Sequence, residues 1–222
     1  MRLLAIETSS RRGSVALAEN GRIVVAAAHE GPASHAERIL PMVDRLMAEA
    51  GYQPSSLDRV AVGVGPGSFT GLRVGIALAQ GIALGADVPV FGVGSLAAMA
   101  HAVPTSLTGL RCPLLDARRG EVFTAIYDQE LAEVIAPCTL PRQAVISALD
   151  ALCAAEKLML GELAEITTGY RSPRTDLPDA RDVACVAAQL PNERQGAEPA
   201  YVREADAVLP RLPRSPLSDP EH

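Results

Sequence analysis

The side chains that could do chemistry stand mostly at turns. Glu7 ends an apolar run, Leu3 to Ile6, and is followed by Thr8, Ser9 and Ser10. Asp116 ends a second run and precedes Arg118, Arg119 and Gly120. A carboxylate at a strand end can orient a metal-bound nucleotide, or it can accept hydrogen bonds from the amides of the turn that follows. Both readings stand for Glu7 and for Asp116. Arg118 and Arg119 could meet phosphate or RNA, or be solvated turn residues. Ser9, Ser10 and Ser34 carry hydroxyls, but none sits in the G-x-S-x-G turn of a nucleophile elbow. Ser34-His-Ala-Glu37 has the spacing of a capping box, which assigns Ser34 to a helix start.

The stretch Gly63 to Gly85 has the look of a phosphate cradle without its chemistry. A P-loop needs Lys and a hydroxyl after its last glycine; here Leu72 and Arg73 follow Gly71. A dinucleotide fingerprint needs a third glycine where Thr70 stands. Amides at a helix start can still hold an anion. The simpler reading is a tight turn, Gly65-Pro66-Gly67, feeding a close-packed helix from Phe69 to Leu84. Ser68 or Thr70 caps its start and Gly85 closes it. This helix is apolar nearly all round, which predicts burial on every side, a sheet covering one face and something else the other. Gly71, Gly75, Ala79 and Ala83 form a ridge of small residues that lets another backbone come close.

The elements that must position these residues follow in order. Leu3 to Thr8 reads as a strand, Ser14 to Glu19 as a second, and Arg22 to Ala28 as a third, joined to the second by the hairpin signal Asn20-Gly21. The helix begun at Ser34 runs to Ala50 and stops at Gly51, with Pro41 expected to kink it. Ile39, Leu40, Met42, Val43, Leu46 and Met47 cover about 160° of its circumference at 3.6 residues per turn. Asp58 to Val64 and Val88 to Val93 are further strands flanking the apolar helix, and a short helix spans Ser95 to Ala102.

After a hinge at Pro104 to Gly109 the pattern restarts. Strands are expected at Arg111–Leu115, Glu121–Tyr127, Leu131–Ala136 and Lys157–Leu160, with helices at Gln143–Ala155 and Ala180–Leu190. Glu7-Thr-Ser-Ser-Arg-Arg-Gly-Ser-Val echoes Asp116-Ala-Arg-Arg-Gly-Glu-Val. The fold class is therefore α/β: two actin-like ATPase (ribonuclease H-like) lobes, each around a mixed sheet with the order β-β-β-α-β-α. The expected boundaries are 1–103 for the first lobe, 104–203 for a compact second lobe, and 204–222 for a Pro-rich tail.

Bulk properties narrow the function. The chain has 222 residues and a net charge of −6, so it offers nucleic acid no general electrostatic attraction. Lys157 is its one lysine. The four cysteines are widely spaced, without a C-x-x-C, which predicts free thiols in a reducing cytoplasm. The most membrane-like window, Val74 to Val93, holds Gln80, Asp87 and Pro89, and no span is expected.

Five segments in one order carry a family resemblance. They are Glu7-Thr-Ser-Ser; His35-Ala-Glu-Arg-Ile-Leu-Pro-Met-Val43; Gly65-Pro-Gly-Ser-Phe-Thr-Gly-Leu-Arg-Val-Gly75; Asp116-Ala-Arg-Arg-Gly-Glu-Val122; and Ala197-Glu-Pro-Ala-Tyr-Val-Arg203. Together they resemble the bacterial TsaB (YeaZ-type) family. The resemblance implies a role in making N6-threonylcarbamoyladenosine in tRNA, next to the anticodon, as a non-catalytic partner subunit. It implies a larger relative, TsaD, as the metal-bearing transferase, and TsaE as an ATPase partner. It implies a homodimer when the partner is absent, contact with tRNA through the complex, and ATP or ADP in the complex but no cofactor held by this chain alone.

The residues agree with that reading on two counts. The first two long helices carry more apolar surface than one sheet buries, which marks a partner interface: His35, Ile39, Met42, Val43 and Leu46 on one, Gly71, Leu72, Gly75, Ile76 and Ala79 on the other. The TsaD-type relative binds metal with H-x-x-x-H, whereas here Ile39 follows four residues after His35, and His29, His101 and His222 have no ligand spacing. No metal and no catalytic residue is expected. The competing reading is a free-standing small actin-like kinase or ATPase, with Glu7 and Asp116 as its nucleotide-side acids.

Overall fold

The computed structural model describes residues 1–30, 35–150, 157–163 and 176–202. The expected cap at Ser34, the thiol of Cys153 and the Pro-rich tail lie outside the described residues.

β1 (Arg2–Glu7), β2 (Arg12–Glu19) and β3 (Arg22–Glu30) form an antiparallel meander. The β2–β3 hairpin turns through Asn20 and Gly21, both at positive φ (51° and 77°), as the Asn-Gly signal predicts. α1 (His35–Ala50) follows, then β4 (Arg59–Gly65), α2 (Phe69–Ala86), β5 (Val90–Gly94) and α3 (Ser95–His101). β4 lies parallel to β1 and β5 parallel to β4, giving the sheet order β3-β2-β1-β4-β5.

The second lobe repeats this plan. β6 (Leu110–Arg118), β7 (Glu121–Tyr127) and β8 (Glu133–Pro141) form a meander, α4 (Arg142–Asp150) follows, and β9 (Lys157–Leu160) lies parallel to β6. Its order, β8-β7-β6-β9, matches the first four strands of the first sheet. Strands β6 and β8 are longer or later than the expected segments. Helix α4 is described from Arg142 to Asp150.

Alternating side chains on β1 go to two cores. Leu4 and Ile6 pack with Val15, Leu17, Ile39, Val43, Leu72 and Ile76, under α1 and α2. Leu3 and Ala5 pack on the opposite face with Ala16, Phe91, Val183 and Ala187. A sheet covered on both sides explains why β1 reads as a continuous apolar run and not as an alternating one.

The second cover is α5 (Ala180–Gln189), from the C-terminal half of the sequence. Its Ala180 amide donates to Ser14 Oγ at 2.9 Å, and Arg59 reaches the carbonyls of Ala187 and Leu190 at 3.1 and 2.8 Å. Beyond it, Gly196 exchanges backbone bonds with Val90 and Gly92, and the Ala200 amide donates to Val64 O. Residues 180–200 therefore lie on the first sheet, although the expected boundary assigns 104–203 as a whole to the second lobe. Sequence order could not reveal this, because α5 has the polar–apolar pattern of a helix covering either sheet.

One helix expectation also needs correction. α2 continues through Gly85 to Ala86 and ends on Asp87, whose left-handed backbone (φ 54°) makes the stop expected of glycine. Within the lobe the other side of α2 stays open, with Phe69, Ala77, Gly81, Leu84 and Gly85 exposed. By length and composition alone α2 would suffice to cross a membrane; in the fold one of its faces lies on the sheet.

Candidate functional site

The junction of β1, β4 and α2 is built by close backbone approach. Thr8 Oγ1 donates to Gly71 O at 2.8 Å, and the Ser68 amide donates to Ser9 O at 2.6 Å. A Cβ placed on Gly71 would overlap Thr8 O, and one on Gly75 would overlap Thr8 Oγ1. The ridge of small residues thus accommodates the end of β1. Gly71, Leu72, Gly75, Ile76 and Ala79, expected at a partner interface, are all buried inside the lobe.

Two of the amides at the start of α2 are already bonded. Ser68 N–H serves Ser9 O, and Gly71 N–H points to the capping Ser68 Oγ at 3.3 Å. The cap is Ser68, not Thr70.

Glu7 is fully buried. Its carboxylate accepts the Ser9 amide at 2.6 Å and the Ser95 hydroxyl, at the start of α3, at 3.1 Å. Burial pushes its pKa above the ordinary carboxylate range, against the opposing pull of these hydrogen bonds. Asp116 stands at the equivalent end of β6. It accepts the Arg118 amide at 3.0 Å and Arg142 Nη2 at 3.3 Å. Both acids accept bonds from the amides of the turn that follows them. Among the described residues no group of three or more His, Cys, Asp or Glu side chains could hold a metal.

On α1, Ile39, Val43 and Leu46 are buried and Met42 is partly buried against the same core. His35 is turned to its own lobe: Nε2 lies 2.8 Å from Ser10 O and Nδ1 lies 3.3 Å from His29 Nε2. So the ten residues expected at the interface chiefly build the lobe. The outward side of the helix pair is a different set. It carries Leu40 (46% exposed), Phe69 (52%) and Leu84 (85%), with Ala77 and Gly81 between the last two on α2. At 100° per residue Phe69, Ala77, Leu84 and Gly81 fall within about 120° of one another. Arg73 lies over the Phe69 ring at 3.8 Å and its Nε is 3.4 Å from Tyr201 Oη, joining the C-terminal segment to this strip. The sequence placed the small-residue ridge of α2 outward, whereas it faces the end of β1. α2 is apolar on both sides, so its periodicity could not say which side met the sheet.

Comparison with known proteins fixes the lineage. Residues 29–186 match the family model described as TsaD: tRNA N6-adenosine threonylcarbamoyltransferase. The solved structure of YeaZ from Pseudomonas aeruginosa superposes with a TM-score of 0.78 at 31% identity, covering 90% of this chain and 99% of that one.

The chain belongs to the TsaB (YeaZ) family.

Two sequence relatives bear the TsaB name. The Escherichia coli tRNA threonylcarbamoyladenosine biosynthesis protein TsaB is 43% identical over 131 residues, 59% of this chain and 56% of its own length. The Bacillus subtilis protein of that name is 34% identical over 139 residues, 62% and 60%. The matched stretch thus spans less than two thirds of either relative. At the level of fold alone, the activator of 2-hydroxyisocaproyl-CoA dehydratase from Clostridium difficile superposes with a TM-score of 0.52 at 11% identity over 85% of this chain and 94% of that one. The two repeated sheets are those of the actin-like, ribonuclease H-like architecture.

Proposed function

We propose that this TsaB-family chain is a non-catalytic partner subunit in the formation of N6-threonylcarbamoyladenosine in tRNA, docking through the outward side of α1 and α2 onto a TsaD-type transferase. One observation carries the docking mode: on the side away from the sheet the 18-residue helix α2 exposes Leu84 and about half of Phe69, beside Arg73 and Gln80. Small residues at Ala77 and Gly81 give a partner helix room for close approach. The buried, hydrogen-bonded state of Glu7 supports a scaffold role over a free-standing kinase or ATPase. In this reading a TsaE-type ATPase joins the complex, tRNA is met through the complex, ATP or ADP is a ligand of the assembly, the helix pair closes a homodimer when the partner is absent, and the site of action is the cytoplasm.

The test is reconstitution. The full chain is mixed with the TsaD- and TsaE-type proteins of the same cell, unmodified tRNA, threonine, bicarbonate, ATP and the enzyme that makes the threonylcarbamoyl adenylate. Nucleoside mass spectrometry should show product only when this chain is present, and the chain should co-purify with the TsaD-type protein. Product formed equally without it would end the proposal, as would steady ATP turnover by this chain alone that Glu7→Ala abolishes.

A further inference from the structure

One line of residues on the outward side of α2 reads Arg73, Ala77, Gln80, Leu84 and Asp87, in steps of four, three, four and three. That is the spacing by which one helix lies along another. At 100° per residue the first four fall within about 60° of one another. All five are exposed, and Asp87 is the left-handed residue that ends the helix.

This seam is complementary to itself. A cation stands at one end and a carboxylate at the other, a small side chain faces inward from one and a large one from the other, and Gln80 is in the middle. Turned end for end against a second seam, it sets Arg73 on Asp87, Ala77 on Leu84 and Gln80 on Gln80. Among the described residues neither Arg73 nor Asp87 forms an ion pair; the Arg73 guanidinium lies over the Phe69 ring and its Nε points to Tyr201 Oη. Gln80 directs one Nε2–H to Ala197 O at 3.4 Å. Its second N–H and its carbonyl can bond the same two groups of another Gln80.

Shape repeats the pattern of charge. At the start of α2, Phe69, Arg73 and Tyr201 form a knob, with the Phe69 and Tyr201 rings 5.6 Å apart. At its end lies an open groove of about 920 Å³ lined by Leu84, Asp87, Val88, Pro89 and Asp58, among others. In the end-for-end register Phe69 comes about 6 Å beyond Asp87 along the axis, at the level of this groove. A knob and a socket on either side of the middle of one face close as a two-fold pair.

We propose that a second copy of this chain packs on the α2 seam end for end about Gln80, each Arg73 binding Asp87 of the other copy. The last carbonyls of a helix attract a cation, so Asp87 and the end of α2 act together on Arg73. The proposal rests on the docking reading for the choice of surface and adds its regulation. The seam that a second copy covers is the one offered to the TsaD-type transferase, so self-association withholds the chain from it by mass action. The seam is about 21 Å long, short for a standard interface, and the dimer should therefore depend on concentration. It should also loosen in salt, which screens exposed charges.

The experiment uses the full chain. Gln80→Cys places two thiols at the two-fold axis, within disulfide reach, whereas Thr70→Cys leaves its two thiols about 30 Å apart in this register. After mild oxidation, peptide mass spectrometry should find the 80–80 link and no 70–70 link. In sedimentation, Arg73→Glu and Asp87→Lys should each weaken the dimer roughly tenfold or more, because each sets two like-charge pairs face to face. Combined, they exchange the charges and should restore association to within about threefold of wild type. A wild-type chain that stays monomeric through the micromolar range, a 70–70 link without an 80–80 link, or a double variant as weak as the singles would each overturn the seam. The cross-link decides the register if Asp87→Lys does not fold. Pairing with the TsaD-type protein is followed in parallel. A chain that pairs with the transferase and not with itself ends this proposal and leaves the docking reading standing; one that links through Gln80 and ignores the transferase does the reverse.

Discussion

The Thr8 hydroxyl occupies the space in which a Gly75 side chain would have to stand. That contact, with the Thr8 bond to Gly71 O, presses α2 onto the end of β1. Gly75→Leu is therefore a folding mutation and not an interface mutation. Overpacking of this kind costs about 1–3 kcal/mol and often more when backbone must move. We expect Gly75→Leu to lower the urea midpoint strongly or to prevent folding. A Gly75→Leu protein of wild-type stability would contradict the packing of α2.

The docking proposal is tested at Gly81, where a Cβ would meet nothing within 4 Å. Replacing an exposed mid-helix glycine gains up to about 1 kcal/mol in helix propensity relative to alanine. Gly81→Glu should thus fold at least as well as wild type by circular dichroism, yet fail to pair with the TsaD-type protein on gel filtration. Leu84→Asp should behave likewise, by placing a charge in an apolar contact. Normal pairing by both variants would move the interface off α2.

Glu7 gives a pH signature. Its folded pKa lies above the unfolded one, so the protonated form is favoured in the fold. The stability linked to it is present below the unfolded pKa and is lost as pH rises through the folded value. Glu7→Gln removes this dependence. The stability of Glu7→Gln relative to wild type should therefore climb with pH and level off on the acid side, as read by urea unfolding from pH 4 to pH 8. A constant difference across that range would show that Glu7 does not titrate with a raised pKa.

Thiol chemistry should be ordered. Burial pushes the Cys112 pKa up to about 11, whereas Cys138 and Cys185 are only partly buried. None of these three forms a disulfide. A disulfide-exchange reagent at pH 8 should label Cys138 or Cys185 in the native protein well before Cys112, with Cys112 reacting only after denaturation. Peptide mass spectrometry showing early Cys112 labelling would refute the burial.

Local signals in the sequence carried most of the fold. Asn20-Gly21 set the hairpin, Gly51 the end of α1, and the echo between Glu7 and Asp116 announced two sheets of one plan. What the sequence could not resolve was direction. The Gly71–Gly75–Ala79–Ala83 ridge states that something comes close, but a strand end and a partner helix need the same small residues. The His35 contact was hidden for a similar reason: His29 is six residues away and on another element, so no helical spacing connects the two. Tyr201 joins Arg73 across 128 residues, a separation that no periodicity reports.

The return of α5 to the first sheet means that the two halves are no longer interchangeable parts. If the chain were cut in the Pro104–Gly109 connection, the first half would lose the lid over Leu3, Ala5 and Ala16, and Arg59 would lose the carbonyls it binds. The second half would keep a helix with nothing to cover. A duplicated plan has become a single cooperative object, in which residues 180–200 complete the sheet that residues 2–30 begin.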